Sequence, residues 1–304
     1  MGDRIVGDPH WYWYIVFYFF LGGLAAGVAF VGALAALFGG QQMRPVARLA
    51  ALIPMPLALI CTVILIVDLE RPERFLHMIV QSETWQPMFK YWSPMSYGSW
   101  IVMIFSGLAT VNFVAALWGD RGGLLGWLPR LIDRGVVGTV FQGLILLASY
   151  GLGSYVGALL NASNQLFWSD TPLIGALFFA SAIGAGLSLL VLLLLRPGTA
   201  SHDVIERLEA ADNWAIGIEL LAIAALFISL GSLAGPLIGS IYGLVIIVGT
   251  GLIGLALPLG LHVWPRVLGG RASPIVAAVL TLAGGFALRW AIVMAAQGVF
   301  VAGR

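Results

Sequence analysis

Residues 11–38, WYWYIVFYFFLGGLAAGVAFVGALAALF, form one run without a charged side chain. A run of this length exceeds the roughly 20 residues that an α-helix needs to cross the hydrocarbon core of a bilayer. It also lacks the strict alternation of apolar and polar residues that is typical of a barrel strand. The stretch therefore predicts a membrane-spanning helix, and the absence of a convincing signal-peptide cleavage site favours an uncleaved first span.

Seven further apolar runs complete the pattern along the 304 residues, of which 60% are hydrophobic and 10% are charged. The mean hydropathy of +0.98 is far above that of a soluble domain, so the chain is predicted to be an all-α integral membrane protein. We expect one membrane domain, 1–304, with two four-helix bundles at 1–160 and 161–304. The predicted spans are 11–38, 49–67, 98–118, 136–155, 173–195, 214–233, 241–263 and 274–296.

The positive charges between the predicted spans are unevenly distributed. Connections after the odd-numbered spans hold nine arginines, whereas the tails and the other connections hold five cations. Because cytoplasmic loops are enriched in Lys and Arg, both termini are predicted to lie outside. The nine are Arg44, Arg48, Arg121, Arg130, Arg134, Arg196, Arg207, Arg266 and Arg271, and the five are Arg4, Arg71, Arg74, Lys90 and Arg304.

Several classes of function are disfavoured by composition. A net charge of +1 and a single lysine provide no basic surface for nucleic acid. The one cysteine, Cys61, has no second thiol for a disulfide or an iron–sulfur ligand set. Among the four histidines only His262 lies inside a predicted span, so a haem held between helices is not expected, and His202 and His262 are interpreted as solvated or capping residues. No metal site is predicted, and a redox metal would belong to another chain.

Two strong charges, Glu219 and Arg289, remain inside the predicted spans. An ionisable side chain at membrane depth costs several kcal/mol, so it usually has a partner and a task. Arg289 stands too deep to reach either surface and needs a counter-charge, for which Asp68 is the natural candidate. Glu219 follows Asp212 by one heptad, so the two could draw protons from the cytoplasm; the alternative is a carboxylate that is hydrogen-bonded within the bundle.

A dense charged run, DLERPERFLH at 68–77, follows the second span. Its i,i+4 pairs, Glu70 with Arg74 and Glu73 with His77, predict a short helix that opens near Pro72. Asp68 follows directly on ICTVILIV, where a partly desolvated carboxylate suits a proton acceptor. The alternative is that the whole run is an interfacial cap of ion pairs.

Four tyrosines are predicted to lie at the same depth as Asp68 and Arg289, near the outer ends of their spans. Tyr14 and Tyr18 belong to the first span, and Tyr150 and Tyr155 to the end of the fourth. Their hydroxyl groups could hold a polar ligand, whereas the neighbouring tryptophans are explained by an interfacial aromatic belt.

Three motifs together resemble the NrfD/polysulfide reductase family of membrane subunits. They are DLERPERFLHM at 68–78 followed by SPMSYGSW at 93–100, FLGGLAAG at 20–27, and GGFALRWAIVMAAQ at 284–297. The first is specific, and the resemblance extends over essentially the whole chain. Glu70 departs from the pattern, which often has glycine there, and adds a negative charge.

This resemblance implies an eight-helix subunit of the prokaryotic cytoplasmic membrane with no haem or iron–sulfur cluster of its own. It implies that menaquinone or ubiquinone binds near the outer face and exchanges electrons with a multi-cluster ferredoxin-like iron–sulfur subunit. That subunit would connect to a molybdopterin catalytic subunit, or to a hydrogenase or a multihaem cytochrome. Carried over by motif, the functional residues are Asp68, His77 and Arg289 and the proton pair Asp212 and Glu219. The candidates for binding the quinone are His10 and one of four tyrosines among which the surrounding residues do not choose: Tyr14, Tyr18, Tyr150 and Tyr155.

The function predicted from the sequence is therefore quinone/quinol oxidoreduction as one subunit of a larger complex, with Asp68 taking or giving the proton. A secondary transporter or proton channel would also explain buried Glu219 and Arg289, although most prolines lie at span ends instead of at midplane. A third alternative is a passive anchor that holds a redox complex at the membrane.

Overall fold

A computed structural model describes most of the chain. The described residues are 11, 13–69, 71–119, 126–132, 135–163, 165–196, 198–264, 267–269 and 272–299. Within them the secondary structure is helical, with one isolated bridge between Val80 and Pro87.

Eight helices are long and apolar enough to cross a membrane, which confirms the predicted all-α membrane fold. The short helix Arg44–Ala51 forms the first part of the second span, Gln41–Asp68, and the 3₁₀ helix Pro72–Met78 lies between the second and third spans. The eight are α1 (Trp13–Phe38), α2 (Pro54–Asp68, the longer part of the span Gln41–Asp68), α3 (Pro94–Trp118), α4 (Gly135–Asn161), α5 (Leu173–Leu194), α6 (His202–Leu230, within the span His202–Ile238), α7 (Ile241–Val263) and α8 (Ala272–Gly298).

Two helix starts differ from the sequence prediction. Helix α6 begins at His202, well before residue 214, because Val204, Ile205 and Leu208 are buried and hold the polar first turns against the bundle. This extension places Asp212 inside a helix. The second span is interrupted before Pro54, since proline has no N–H to continue the hydrogen bonds of the preceding helix.

Helices α1 and α5 form the centre of the protein and pack against each other. A Cβ on Gly27 of α1 would collide with the carbonyl of Ala182, and one on Gly186 of α5 would collide with the backbone of Gly27. Small residues therefore set this close approach, as is usual for helices in lipid. Because α1 contacts α5 as well as α2 and α4, the division into two four-helix bundles stays a prediction.

Helix α7 contains an irregular middle. Residues Val245–Ala256 form a π-helix with wider turns, and this segment packs on α8 where Gly254 meets Gly284. Thr250 Oγ1 donates a hydrogen bond of 3.1 Å to the Gly284 carbonyl. The π-helical segment of α7 thus packs against α8 at Gly284, on the N-terminal side of Arg289 in that helix.

One end of the bundle, here called the terminal face, contains the start of α1 and the end of α8. The side chain of Gln297 binds the backbone N–H and C=O of Trp11 at 3.0 and 3.1 Å. The buried Trp168 donates from Nε1 to the Ile292 carbonyl at 2.9 Å. These bonds close the terminal face over the interior. Whether it is the outer face, as the arginine distribution predicts, stays a prediction.

Candidate functional site

Two carboxylates from α6 converge on the glycine face of α5. Asp212 is 3% exposed and Glu219 is 2% exposed. A Cβ built on Gly184 would lie 3.6 Å from Glu219 Oε2 and 3.8 Å from Asp212 Oδ1, so both carboxylates border the space that this glycine leaves. Asp212 Oδ1 and Glu219 Oε1 have no hydrogen-bond partner among the described residues. Such orphaned oxygens suit a site that binds and releases protons.

Arg289 of α8 is 1% exposed and is held by three helices. Its Nε donates to the Phe19 carbonyl of α1 at 3.1 Å, and its Nη2 donates to the Phe178 carbonyl of α5 at 3.1 Å. Nη1 donates to the Gly285 carbonyl at 2.8 Å. The guanidinium fits here because Gly23 has no side chain: a Cβ there would lie 2.6 Å from Nη2.

The charged group that interacts with Arg289 is Glu219, and Ser181 of α5 lies between the two. Arg289 Nη1 donates to Ser181 Oγ at 3.1 Å, and the Ser181 side chain lies beside the Glu219 carboxylate. Asp68, the counter-charge suggested by the sequence, is exposed and is not a partner of Arg289. A buried charge pair of this kind is strongly coupled, because the surroundings are dry.

A small cavity lies on the other side of Arg289. Tyr18, Gly23, Phe178 and Arg289 are among its lining residues, and its volume of about 10 Å³ matches one water molecule. The Tyr18 hydroxyl forms a short hydrogen bond with the Tyr155 hydroxyl, and both side chains are buried. Two of the four predicted tyrosines are thus brought together beside Arg289.

The remaining predicted site residues lie apart from this interior. Asp68 is exposed at the end of α2, and His77 is exposed on the 3₁₀ helix Pro72–Met78. Tyr14 is 50% exposed and Tyr150 is 52% exposed, with the Tyr150 ring 5.1 Å from the Phe179 ring. His10 and Glu70 lie outside the described residues. The structure therefore separates the predicted residues into a surface group and a buried group.

Sequence reasoning did not find Ser181, because nothing in the sequence distinguishes it from the other serines inside spans. It also treated His262 as a solvated or capping residue. The structure places His262 Nδ1 2.8 Å from Asn213 Oδ1, the residue next to Asp212. The two residues are 49 positions apart, so no local spacing indicates this contact. His202, by contrast, pairs with Glu206 at 3.0 Å on an exposed helix start.

The described residues contain no group of three His, Cys, Asp or Glu side chains that would hold a metal ion. The polar interior is made instead of carboxylates, hydroxyl groups and one guanidinium. Groups of these types can exchange protons and form hydrogen bonds.

Known proteins resemble this chain over almost its full length. The family described as polysulphide reductase, NrfD, matches residues 5–302. The chain is 25% identical to protein NrfD of Escherichia coli (strain K12), over 94% of this chain and 95% of that protein. It is 26% identical to the C subunit of polysulfide reductase of Wolinella succinogenes, over 94% of each. A protein NrfD homolog of Haemophilus influenzae is 28% identical over 79% of this chain and 78% of its own. With eight apolar helices and a match that runs almost from end to end, this chain belongs to the NrfD/polysulfide reductase family of membrane proteins.

Proposed function

We propose that this chain is the quinone-reactive membrane subunit of a respiratory oxidoreductase in a prokaryotic cytoplasmic membrane. It exchanges electrons between menaquinone or ubiquinone and a multi-cluster ferredoxin-like iron–sulfur subunit. Membership of the family supports a role in a redox complex, since one relative is by name a subunit of polysulfide reductase. The observation that carries the quinone assignment is the position of Asp68 at the end of an apolar, exposed helix surface.

The surface beside Asp68 fits a lipid-soluble head group better than the interior does. The cavity beside Tyr18 and Arg289 has room for about one water molecule and not for a quinone ring. On α2, by contrast, the exposed side chains of Val63 and Val67 lead directly to Asp68. A ligand that moves within the membrane can follow such an apolar surface to a carboxylate at its end.

In this proposal Asp68 accepts or gives up a proton at a quinone oxygen, and His77 supplies a hydrogen-bond donor nearby. The bound quinone supplies the two-electron redox chemistry. The exposed segment that follows α2 would hold the partner subunit, so that its nearest cluster lies close to Asp68. A molybdopterin subunit, a hydrogenase or a multihaem cytochrome would complete the complex.

The buried group supports a second element of the proposal, proton uptake from the opposite face. Asp212 and Glu219 are enclosed, and each has one carboxylate oxygen without a partner in the described structure. Carboxylates buried at membrane depth are typical of proton relays. We propose that this pair takes up protons while electrons pass at the end of the protein that contains Asp68. The same pair would suit a proton channel or transporter, so the redox and proton functions need separate tests.

The redox assignment is tested with Asp68→Asn in the isolated complex. Loss of a positioned proton acceptor lowers the quinol oxidation rate by roughly 10²- to 10⁴-fold. Glu73→Gln is the matched control, because Glu73 is another exposed carboxylate of the same segment and should retain the full rate. An unchanged rate in Asp68→Asn would refute the assignment.

The proton assignment is tested with Glu219→Gln in proteoliposomes that contain the complex. We expect the internal pH change per quinol oxidised to disappear, while electron transfer continues at a reduced rate. If this chain is only a passive anchor, substitutions in it such as Asp68→Asn and Glu219→Gln will leave the quinol turnover of the complex unchanged. If the pH change persists in the variant, the proton role of the acid pair is wrong.

A further inference from the structure

Among the described residues, the Ser181 hydroxyl is the side-chain group that joins the carboxylates of α6 to the guanidinium of α8. It accepts a hydrogen bond of 3.1 Å from Arg289 Nη1, and its own O–H can be donated to the neighbouring Glu219 carboxylate. Ser181 is 1% exposed, so water from either face does not compete for these bonds. A second serine of the same helix, Ser188, is equally buried, yet its Oγ has no partner within the described part of the chain.

Arg289 retains one donor after its contacts with the protein. A guanidinium has five N–H groups, and the bonds to Phe19, Ser181, Gly285 and Phe178 use four of them. The remaining N–H is on Nη2, the atom nearest to the position that a Gly23 side chain would occupy.

Gly23, Arg289 and Tyr18 line the same cavity, which has the volume of about one water molecule. A buried donor without a protein partner, beside a cavity of this size, is the situation in which ordered water is found. The Tyr18 hydroxyl is bound to Tyr155 and retains the capacity for a further hydrogen bond.

We propose that Ser181 couples the acid pair to the tyrosine pair, through Arg289 and one water molecule bound between Arg289 Nη2 and the Tyr18 hydroxyl. Ser181 acts as a positioning residue: it holds the guanidinium and the Glu219 carboxylate in one hydrogen-bonded series. A change in the charge of Glu219 then alters the hydrogen bonds of Tyr18. This coupling rests on the proposed function, because it would link proton uptake at Glu219 to the end of the protein that contains Asp68.

The dry surroundings make this coupling strong. The groups that face Glu219 are Asp212 of its own helix, Ser181 of α5, and Thr281 and Arg289 of α8. Thr281 Oγ1 donates to the Ala277 carbonyl at 3.1 Å and is therefore occupied within its own helix. In a medium of low dielectric constant, hydrogen bonds in series polarise one another, so a charge change is felt along the whole series of groups.

The test uses the full-length protein in lipid nanodiscs and needs no quinone. Infrared spectroscopy records the tyrosine C–O stretching band, which is assigned with Tyr18→Phe. We expect Glu219→Gln to shift this band in the wild-type background and equally in the Ser188→Ala background. In the Ser181→Ala background the shift should vanish, and Ser181→Thr, which keeps the hydroxyl, should restore it.

A shift that persists in Ser181→Ala, or that is absent from the wild-type background, overturns the coupling. If Ser181→Ala fails to fold, the wild-type background still tests the coupling, because the absence of a shift there overturns it. The water is tested separately by a density map that resolves other buried waters: a peak beside Arg289 Nη2 supports it, and an empty cavity refutes it. Failure of the quinone assignment would appear only in the Asp68→Asn rates and would leave the band shift in place.

Discussion

The interior around Arg289 and the segment that follows Asp68 contain the same kinds of side chain in opposite environments. In α1 and α5, 78% and 72% of the most apolar stretch is buried, whereas in α3 the buried share is 17%. Arg289 and Glu219 lie among tightly packed helices; Asp68, Arg71 and His77 are exposed. Charge in a membrane protein can thus serve either to hold helices together or to meet a ligand or partner at the surface.

The largest effect on stability is expected where a buried charge is removed. Arg289→Leu leaves Glu219 without its opposite charge and three backbone carbonyls without their side-chain donor. Breaking a buried pair in this way costs about 3–5 kcal/mol. Arg71→Leu, at an exposed site beyond the end of α2, should change the free energy of unfolding by no more than about 0.5 kcal/mol. Both are measured by unfolding in bicelles.

A double variant sharpens the same comparison. Replacing both members of a buried pair with apolar residues removes the uncompensated charge, so Arg289→Leu with Glu219→Leu should recover much of the stability lost in the single variant. If the single Arg289→Leu variant is as stable as the wild-type protein, the Arg289 guanidinium does not stabilise the packing of the helices that it contacts.

The second effect concerns the close contact of α1 with α5. In Gly27→Ala the new methyl group meets the carbonyl of Ala182, so the helices must move apart at a cost of about 1–3 kcal/mol. Gly107→Ala on the exposed α3 is the control, because nothing lies within 4 Å of its Cβ position among the described residues. Alanine should be neutral there or stabilise by up to about 1 kcal/mol, since glycine weakens a helix. Equal thermal shifts in the two variants would contradict the packing difference.

A smaller effect is expected at the terminal face, where Gln297 binds Trp11 through two hydrogen bonds. Gln297→Ala should lower the free energy of unfolding by about 1 kcal/mol and increase hydrogen exchange at the Trp11 amide. Gln81→Ala, in an exposed loop where the side chain accepts a hydrogen bond from Thr84, should leave both quantities unchanged. Unchanged exchange in Gln297→Ala would mean that the two hydrogen bonds between Gln297 and Trp11 do not stabilise the terminal face.

The smallest effect on the stability of the protein is expected at exposed aromatic side chains on its surface. Trp85 and Trp214 are each 78% exposed, but Trp85 follows the charged segment at 68–77 while Trp214 lies on α6. Each change to alanine should alter stability by about 0.5 kcal/mol or less. Trp85→Ala should weaken binding of the iron–sulfur subunit by about 2 kcal/mol, as at an interface hot spot, and Trp214→Ala should not. Pull-down titration of the partner subunit measures the difference, and equal affinities would place the docking surface elsewhere.

Much of the fold was predictable because hydropathy is a property of each segment by itself. Every predicted span from 11–38 to 274–296 corresponds to a helix in the structure. The missed start of α6 shows the limit of that signal: its polar first turns are stabilised by packing of Val204 and Leu208, which a hydropathy window does not see.

The candidate site was predictable only as a set of residues. The sequence by itself determined that this is an eight-span membrane protein of the NrfD family, and that Glu219 and Arg289 are buried charges, because lipid penalises any span that is not apolar and any charge that is not needed. Only the tertiary structure decided that Arg289 binds Ser181 beside Glu219 and lies apart from Asp68, and that Tyr18 meets Tyr155. The physical reason is that hydrogen-bond partners depend on how helices rotate and cross, which follows from glycine contacts such as Gly27 with Ala182 between segments far apart in the sequence.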